Sequence, residues 1–333
     1  MYKLILCLFL FTFLHGGQIP DKVLICGIGR NIEKAVPNTI QSATELGSRF
    51  ADYRVIFYEN NSTDQTKKLL QAWADKNPKV LFQSEKISKR RIAKQLEMKV
   101  MNRTEAIARA RNVVLDIAMK RKFDDYKYVV WADLDFLEPW DVDAIVETIL
   151  HPQQEWDAVF AYGGYDLFAL RTPEWPIGFE LIGPPYFEKI EQLRKKFVLD
   201  RQGPWKKVYS AFGGIGIYKR EALKGCRYSG VVTKDLEAVT LQWLGECKEG
   251  ILFYQDYQEL LAKVKPIDLT GKRLENRGDL PDQIGVRIGK VVWFSCTPNT
   301  TIPWTCEHVP LHASMILRGH DKLFINPKIR CGF

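Results

Sequence analysis

The chain has no apolar run long enough to cross a bilayer. A membrane helix needs roughly 20 predominantly apolar residues, and the most apolar stretch here, Leu4 to Leu14, covers about eleven. Its seven cysteines include no Cys-x-x-Cys pair, which removes the spacing that structural zinc sites use. There is no internal repeat, so solenoids and propellers are excluded, and no low-complexity tract. An apolar content of 46% with 26% charged residues is that of a globular chain rather than a disordered one. Positive charge is in excess, with a net +8, yet it is scattered apart from Lys86-Ile-Ser-Lys-Arg-Arg-Ile-Ala-Lys94. That run reads as a solvated face. By itself the balance favours anionic partners, whether nucleic acid, a membrane surface or a phosphorylated small molecule; taken with the motifs below, no nucleic-acid partner is expected.

What is present begins with the leader. One lysine precedes the Leu4 to Leu14 run, and His15-Gly-Gly follows. Residues 1–17 fit a secretory signal peptide or short signal anchor, against the alternative of a buried N-terminal element. The expected location is the secretory lumen, the exterior, or a membrane held through this segment, with the cytoplasm as the alternative. Cys7 lies in the leader and Cys26 reads as a buried thiol. Cys226, Cys247, Cys296, Cys306 and Cys331 supply one or two bridges if the protein is exported. Glycosylation sequons begin at Asn60, Asn61, Asn102 and Asn299 and matter only in a eukaryotic secretory pathway.

From Lys22 the pattern alternates. Strands are expected at Lys22–Cys26, Arg54–Tyr58, Val80–Gln83 and Tyr128–Trp131. Helices are expected from Pro37 through Phe50, with Ile40, Ala43, Leu46 and Phe50 on one face, then over Gln65–Lys76 and Thr104–Lys120. Thr63 or Asp64 is placed to cap the second helix. This rhythm predicts a doubly wound α/β sheet, which binds ligands at the carboxyl ends of its strands. Beyond residue 150, strands are expected at Asp157–Tyr162, Val208–Tyr218 and Lys290–Phe294, between loops rich in Gly, Pro and Trp. One domain over 20–333 is expected, in two halves, 20–150 and a loop-rich 151–333 where an acceptor could be held.

The motifs sit at the strand ends. Asp133 and Asp135 follow the fourth strand two residues apart, so their carboxylates share one side. Two such groups repel unless a cation lies between them, and a hard ion such as Mn²⁺ or Mg²⁺ is the usual answer. A solvated acidic turn is the bland alternative. Glu59 closes the second strand and can accept hydrogen bonds from a ribose or base; Asp64 is as readily a helix cap. Arg103, Arg109, Arg111 and Asn112 lie along one helix, with Arg111 and Asn112 the better placed for a diphosphate. Ala211-Phe-Gly-Gly-Ile-Gly-Ile-Tyr218 allows close backbone approach to a sugar, or simply tight packing. Cys306-Glu307-His308-Val-Pro-Leu-His312 opens a helix, with the histidines on one face. Proline between them and a glutamate ahead of the first argue against a zinc protease. Glu307 is a candidate base and His308 a base or ligand; a capping Glu and a packed His are the alternative.

In order, these motifs resemble the GT-A glycosyltransferases, especially the family-2-like branch. Glu59-Asn-Asn-Ser-Thr-Asp-Gln-Thr66 is similar to the turn after that group's second strand. Ala108-Arg-Ala-Arg-Asn112, Asp133-Leu-Asp135, Ala211–Arg220 and Cys306-Glu307-His308 are similar to its later motifs, and Gly319 to Pro327 follow as expected. Tyr165-Asp-Leu-Phe-Ala-Leu-Arg171 is also similar to a segment of fungal capsule-associated mannosyltransferases. The likeness spans Val23 to Pro327. His308 departs from it, standing where the family has Asp, so the base is Glu307 or the reaction is retaining.

The resemblance implies a Rossmann-like nucleotide-binding half fused to a mixed-sheet acceptor half. It implies a hexosyltransferase moving a sugar from a UDP- or GDP-sugar to a hydroxyl of a glycan, glycoprotein or lipid. Gly27, Arg30, Glu59, Asn61, Asp64, Arg103, Arg111, Asn112 and Asp133 would hold the donor. Asp133, Asp135, His308 and His312 would hold Mn²⁺ or Mg²⁺, and Glu307 with His308 would be catalytic. Trp175, Trp205, Gly213 and Gly214 would meet the acceptor. The alternatives are a nucleotidyltransferase, for which Gly27-Ile-Gly-Arg30 is a poor phosphate loop, and an inactive carbohydrate-binding relative.

Overall fold

The computed structural model describes residues 18–91, 103–151, 154–163, 166–183, 185–247, 251–268, 284–295 and 303–331. The leader with Cys7, the end of the basic run (92–94), Asn102, Tyr165, Cys296 and Asn299 lie outside these residues.

The apolar runs become strands buried on both faces. β1 (Ile19–Gly29), β2 (Phe50–Asn60), β3 (Val80–Glu85) and β4 (Tyr126–Asp133) pair in parallel in the order β3-β2-β1-β4. Successive side chains in a strand point to opposite faces. Val23, Ile25, Val55, Phe57, Val130 and Ala132 therefore enter one core, and Leu24, Cys26, Ile56, Tyr58, Val129 and Trp131 the other. The connecting helices are α1 (Val36–Ser48), α2 (Thr66–Lys76) and α3 (Arg103–Ala118). α1 packs on the first core and α3 on the second.

α1 buries Val36, Thr39, Ala43 and Leu46 at helical spacing. It stops at Ser48, and Phe50, expected as its last inward residue, opens β2 instead. Pairing of Phe50 with Ile19 on β1 outweighs the helical pattern.

The remaining elements are α4 (Val142–Ile149), β5 (Ala158–Ala161), α5 (Phe179–Ile182), α6 (Pro185–Lys196), β6 (Lys206–Lys207), β7 (Ile215–Lys219), α7 (Lys234–Glu246), α8 (Tyr254–Lys263), β8 (Ile267–Asp268), β9 (Ile284–Ile288), β10 (Val291–Ser295), α9 (His308–Leu317) and β11 (Leu323–Asn326). The eight-stranded sheet runs β3-β2-β1-β4-β7-β5-β11-β6, with β7 antiparallel to both β4 and β5. The two expected halves thus share one mixed sheet. A small sheet, β10-β9-β8, stands apart and contains the expected strand at Lys290–Phe294.

The strand expected over Val208–Tyr218 is shorter, beginning at Ile215. Gly213 and Gly214 take positive φ (62° and 90°) and turn the chain before it enters the sheet. Cys26, Cys226, Cys247, Cys306 and Cys331 are free thiols, so no two described cysteines form the bridges expected on export. Among the described residues no helix is long and apolar enough to cross a membrane.

Candidate active site

A cleft of about 810 Å³ opens where β1 and β4 end, lined on its other sides by the start of α3 and by loops of the second half. Ile28, Gly29 and Arg30 enter it from β1, Asn60 from β2, and Asp133 and Asp135 from β4. α3 presents Arg103, Thr104, Ile107 and Arg111. From the second half come Asp166, Phe168, Phe187, Phe212, Trp304, Cys306, Glu307 and His308.

Arg111 organises the floor. Its Nε donates to Glu307 Oε1 at 3.0 Å and its terminal nitrogen to Asp133 Oδ1 at 3.1 Å, with the guanidinium 4.7 Å from the Phe212 ring centre. Burial alone would lower its pKa, but the pull of Glu307 and Asp133 raises it, so it stays charged. This one contact joins the end of β4 to the start of α9, 196 positions along the chain from Arg111 in the case of Glu307.

The carboxylates remain undercompensated. Burial raises Asp133 to about 6, with Asp135 adding to the rise and Arg111 opposing it. Burial, then Asp133 and Glu307, raise Asp166 to about 7. Asp166 accepts from the Gly213 N–H at 3.3 Å. Asp135 is exposed at the mouth. Acids that raise each other in this way fit a hard cation. Among the described residues no three acidic, His or Cys side chains form a metal cage. Asp133 and Asp135, hard oxygen donors at one strand end, would fit a Mg²⁺ or Mn²⁺ ion.

The two histidines part company. His308 is buried and stacked on Phe212, with ring centres 4.0 Å apart and planes at 19°. Among the described residues neither of its ring nitrogens has a hydrogen-bond partner, although Glu307 Oε1 lies 3.5 Å from Nε2, and burial, with Arg111 and His312 adding, pushes its pKa well down. It is a neutral imidazole at the cleft wall. His312 lies one turn deeper, with Nδ1 2.8 Å from Ser210 Oγ and Nε2 3.0 Å from Tyr218 OH. Both nitrogens are taken, which excludes the metal-ligand role expected for it.

Several other expected donor contacts are corrected. Glu59 is buried and accepts from Ser62 N–H at 2.6 Å and Ser84 Oγ at 2.7 Å, so it shapes its turn rather than meeting a ribose. Asn61 clamps Ile87, donating to its carbonyl at 2.7 Å and accepting from its N–H at 3.0 Å. Asp64 accepts from Thr66 and Glu33 N–H groups. Asn112 brackets the Tyr228 backbone in the same two-bond manner. Gly27 packs beneath Leu134, where a Cβ would lie 2.5 Å from a methyl carbon, and Gly29 lines the cleft in its place. Asn61, Asp64 and Asn112 thus spend their polar side chains on main-chain groups of the fold.

The acceptor side also differs from expectation. Trp175 packs edge-on against Phe197 at 5.4 Å, and Trp205 lies 4.8 Å from the His151 ring, both away from the cleft. Gly213 and Gly214 act through backbone: Gly214 C=O accepts from Asp133 N–H at 2.8 Å. The aromatic wall is Phe168, Phe187 and Trp304, with Asp166 beside it. The signal for Asp166 and Phe168 was the segment ending at Arg171. That arginine is fully buried, bonds both oxygens of Glu180 (2.9 and 2.6 Å), and donates to the Phe168 and Leu170 carbonyls. Glu180 in turn accepts from Thr305 Oγ1 at 3.0 Å, next to Trp304 and Cys306.

No family model and no curated protein matches this chain. Among solved structures it is similar to a Pyrobaculum calidifontis mannosyltransferase in complex with GDP-Man and Mn²⁺, at 16% identity over 66% of this chain and 53% of that one, with a TM-score of 0.35. It is similar to residues 1–349 of S. aureus TarS at 13% identity over 68% and 55%, TM-score 0.35. It is also similar to glucosyl-3-phosphoglycerate synthase of Mycobacterium tuberculosis in complex with UDP, at 18% identity over 68% and 67%, TM-score 0.34. The chain spans about half the length of the first two, 53% and 55%.

Proposed function

We propose that this chain is a metal-dependent glycosyltransferase that moves a sugar from a nucleotide-diphosphate sugar to an acceptor hydroxyl. The observation that carries the reading is the convergence of Asp133, Asp135, Asp166 and Glu307 on one cleft, at the carboxyl ends of parallel strands, around the buried Arg111. The order of motifs along the chain supports it independently. Arg30, just after β1, and Asn60, at the end of β2, line this cleft and would meet the nucleoside end of a donor. Asp135, with Asp133, would hold a divalent ion, which when bound supplies Lewis-acid neutralisation of the charge on the departing diphosphate.

The chain's own residues do the rest. Arg111 fixes the directions of Asp133 and Glu307 and offsets part of their charge. Glu307, at the first turn of α9, is placed to take the proton of the acceptor hydroxyl. His308 stays neutral and holds Phe212 in place by stacking. Asp135→Asn is the direct test: the side chain is exposed, so the thermal unfolding midpoint should stay within about 2 °C of wild type. Sugar transfer from UDP- or GDP-sugars, measured by product mass, should fall by about a hundredfold or more. Wild-type transfer by this variant, with EDTA also without effect, sinks the reading.

A further inference from the structure

The cleft has a chemically mixed lining. Toward β1 and β2 its polar side chains are Arg30 and Asn60, alongside Gly29 and the aliphatic Ile28 and Ile32. The same cleft is lined by Phe168, Phe187 and Trp304, and Asp166, two residues before Phe168 in the chain, and Glu307 line it with them. The aromatic side is built rather than incidental. Phe168 lies 5.6 Å from Trp304 and 6.2 Å from Phe187, and Phe179 backs both Trp304 (4.3 Å) and Phe187 (4.8 Å). Phe187 nevertheless leaves 46% of its surface exposed at the cleft. A large ring packed against Phe168 and Phe179, yet nearly half exposed in a cleft that also holds a carboxylate, is a surface prepared for a partner.

The neighbouring acid narrows the partner's chemistry. Asp166 has no salt bridge to a described Lys, Arg or His, and its hydrogen bonds come from main-chain N–H groups of Gly213 and Ala169. An alkyl or plain aryl ligand would strip water from this carboxylate and return nothing. A pyranose offers both features at once: an apolar C–H face for the ring and hydroxyl donors for the acid.

Resting on the transferase reading, the geometry points to Phe187, Phe168 and Trp304 with Asp166 as the subsite for a sugar ring of the acceptor, stacked on Phe187 and hydrogen-bonded to Asp166. The acceptor is thereby a carbohydrate rather than a bare protein or lipid hydroxyl. The Arg171–Glu180–Thr305 link keeps the subsite in register with Glu307, because it ties the Phe168 loop to the Trp304–Glu307 segment.

Saturation-transfer NMR on the intact protein, with methyl α-D-mannoside, glucoside and galactoside against glycerol, tests this without a donor. At least one glycoside should receive saturation at its ring protons while glycerol does not. Phe187→Ala, at an exposed position, should weaken that glycoside about tenfold. Asp166→Ala should weaken it by about tenfold as well, through the lost hydrogen bond. No transfer to any glycoside, or wild-type affinity in Phe187→Ala, overturns the proposal. Thermal shift with UDP- and GDP-sugars plus Mn²⁺ reads the donor end separately. Glycoside binding without nucleotide stabilisation leaves this subsite standing and removes the transferase reading, and the converse removes only the subsite.

Discussion

At the scale of single residues, the cleft holds carboxylates whose burial works against the fold. Asp133 and Asp166 bind a proton more tightly in the folded chain than in the unfolded one, with values of about 6 and about 7. Each therefore contributes stability that is present at low pH and is lost as pH rises through its folded value. Other carboxylates, such as Asp64 and Glu85, are lowered and act in the opposite sense. The difference between variant and wild type isolates the effect. The unfolding midpoint of Asp166→Asn minus that of wild type should grow between about pH 4 and pH 8 in metal-free buffer. A difference that stays flat across that range, followed by circular dichroism melts, counts against a strained acid at this position. The same strain is what a bound cation would relieve.

At the scale of elements, the loop before β7 carries the site on backbone geometry. Gly213 sits at φ 62°, and a Cβ there would lie 2.2 Å from the Ala161 carbonyl oxygen. Its N–H meets Asp166, and the next carbonyl receives the Asp133 N–H. Gly213→Ala should cost about 2 kcal/mol or more in urea unfolding and should impair transfer beyond its effect on stability. Gly245→Ala, in α7 with nothing within 4 Å of a new Cβ, should be neutral or slightly stabilising.

The element scale also shows what the sequence could and could not display. The four parallel strands were legible because each is an apolar run bounded by turn residues, and Asp133 and Asp135 were legible because they end such a run. Glu307 and Arg111 were readable as candidates, but their ion pair joins residues far apart in the chain, which no local pattern encodes. Glu59, Asn61, Asp64 and Asn112 looked like ligand contacts because polar turn residues serve ligands and backbone equally well; here the backbone takes them. Trp175 and Trp205 were singled out by residue type, whereas the cleft's tryptophan is Trp304, in a segment without periodicity. Gly213 and Gly214, read as strand from bulk alternation, take positive φ, and Gly213 lies against the Ala161 carbonyl of β5, a contact distant in the chain.

At the scale of the whole molecule, donor and metal should bind as one event. On the proposed reading Asp133 and Asp135 would supply part of the metal's coordination and the donor's phosphates would supply more of it. Mn²⁺ alone should shift the unfolding midpoint little, and a nucleoside diphosphate alone little more. Together, at a hundredfold excess over the dissociation constant, they should stabilise by about 2.7 kcal/mol. A two-way titration by differential scanning fluorimetry checks this. Equal, additive shifts from each ligand would speak against a shared site.

The sheet order has a consequence for how the protein is made. β11, near the C-terminal end, lies between β5 and β6, and β7 is inserted between β4 and β5. A nascent chain that has emerged only as far as β5 exposes the edge of β4 with no neighbour to cover it. The sheet cannot close until Leu323–Asn326 has left the ribosome. Open edges and long-range pairings favour slow folding and intermolecular strand addition. Production of this protein should accordingly depend on chaperone supply and on an intact C-terminal segment, and fragments that end before β11 should aggregate rather than fold.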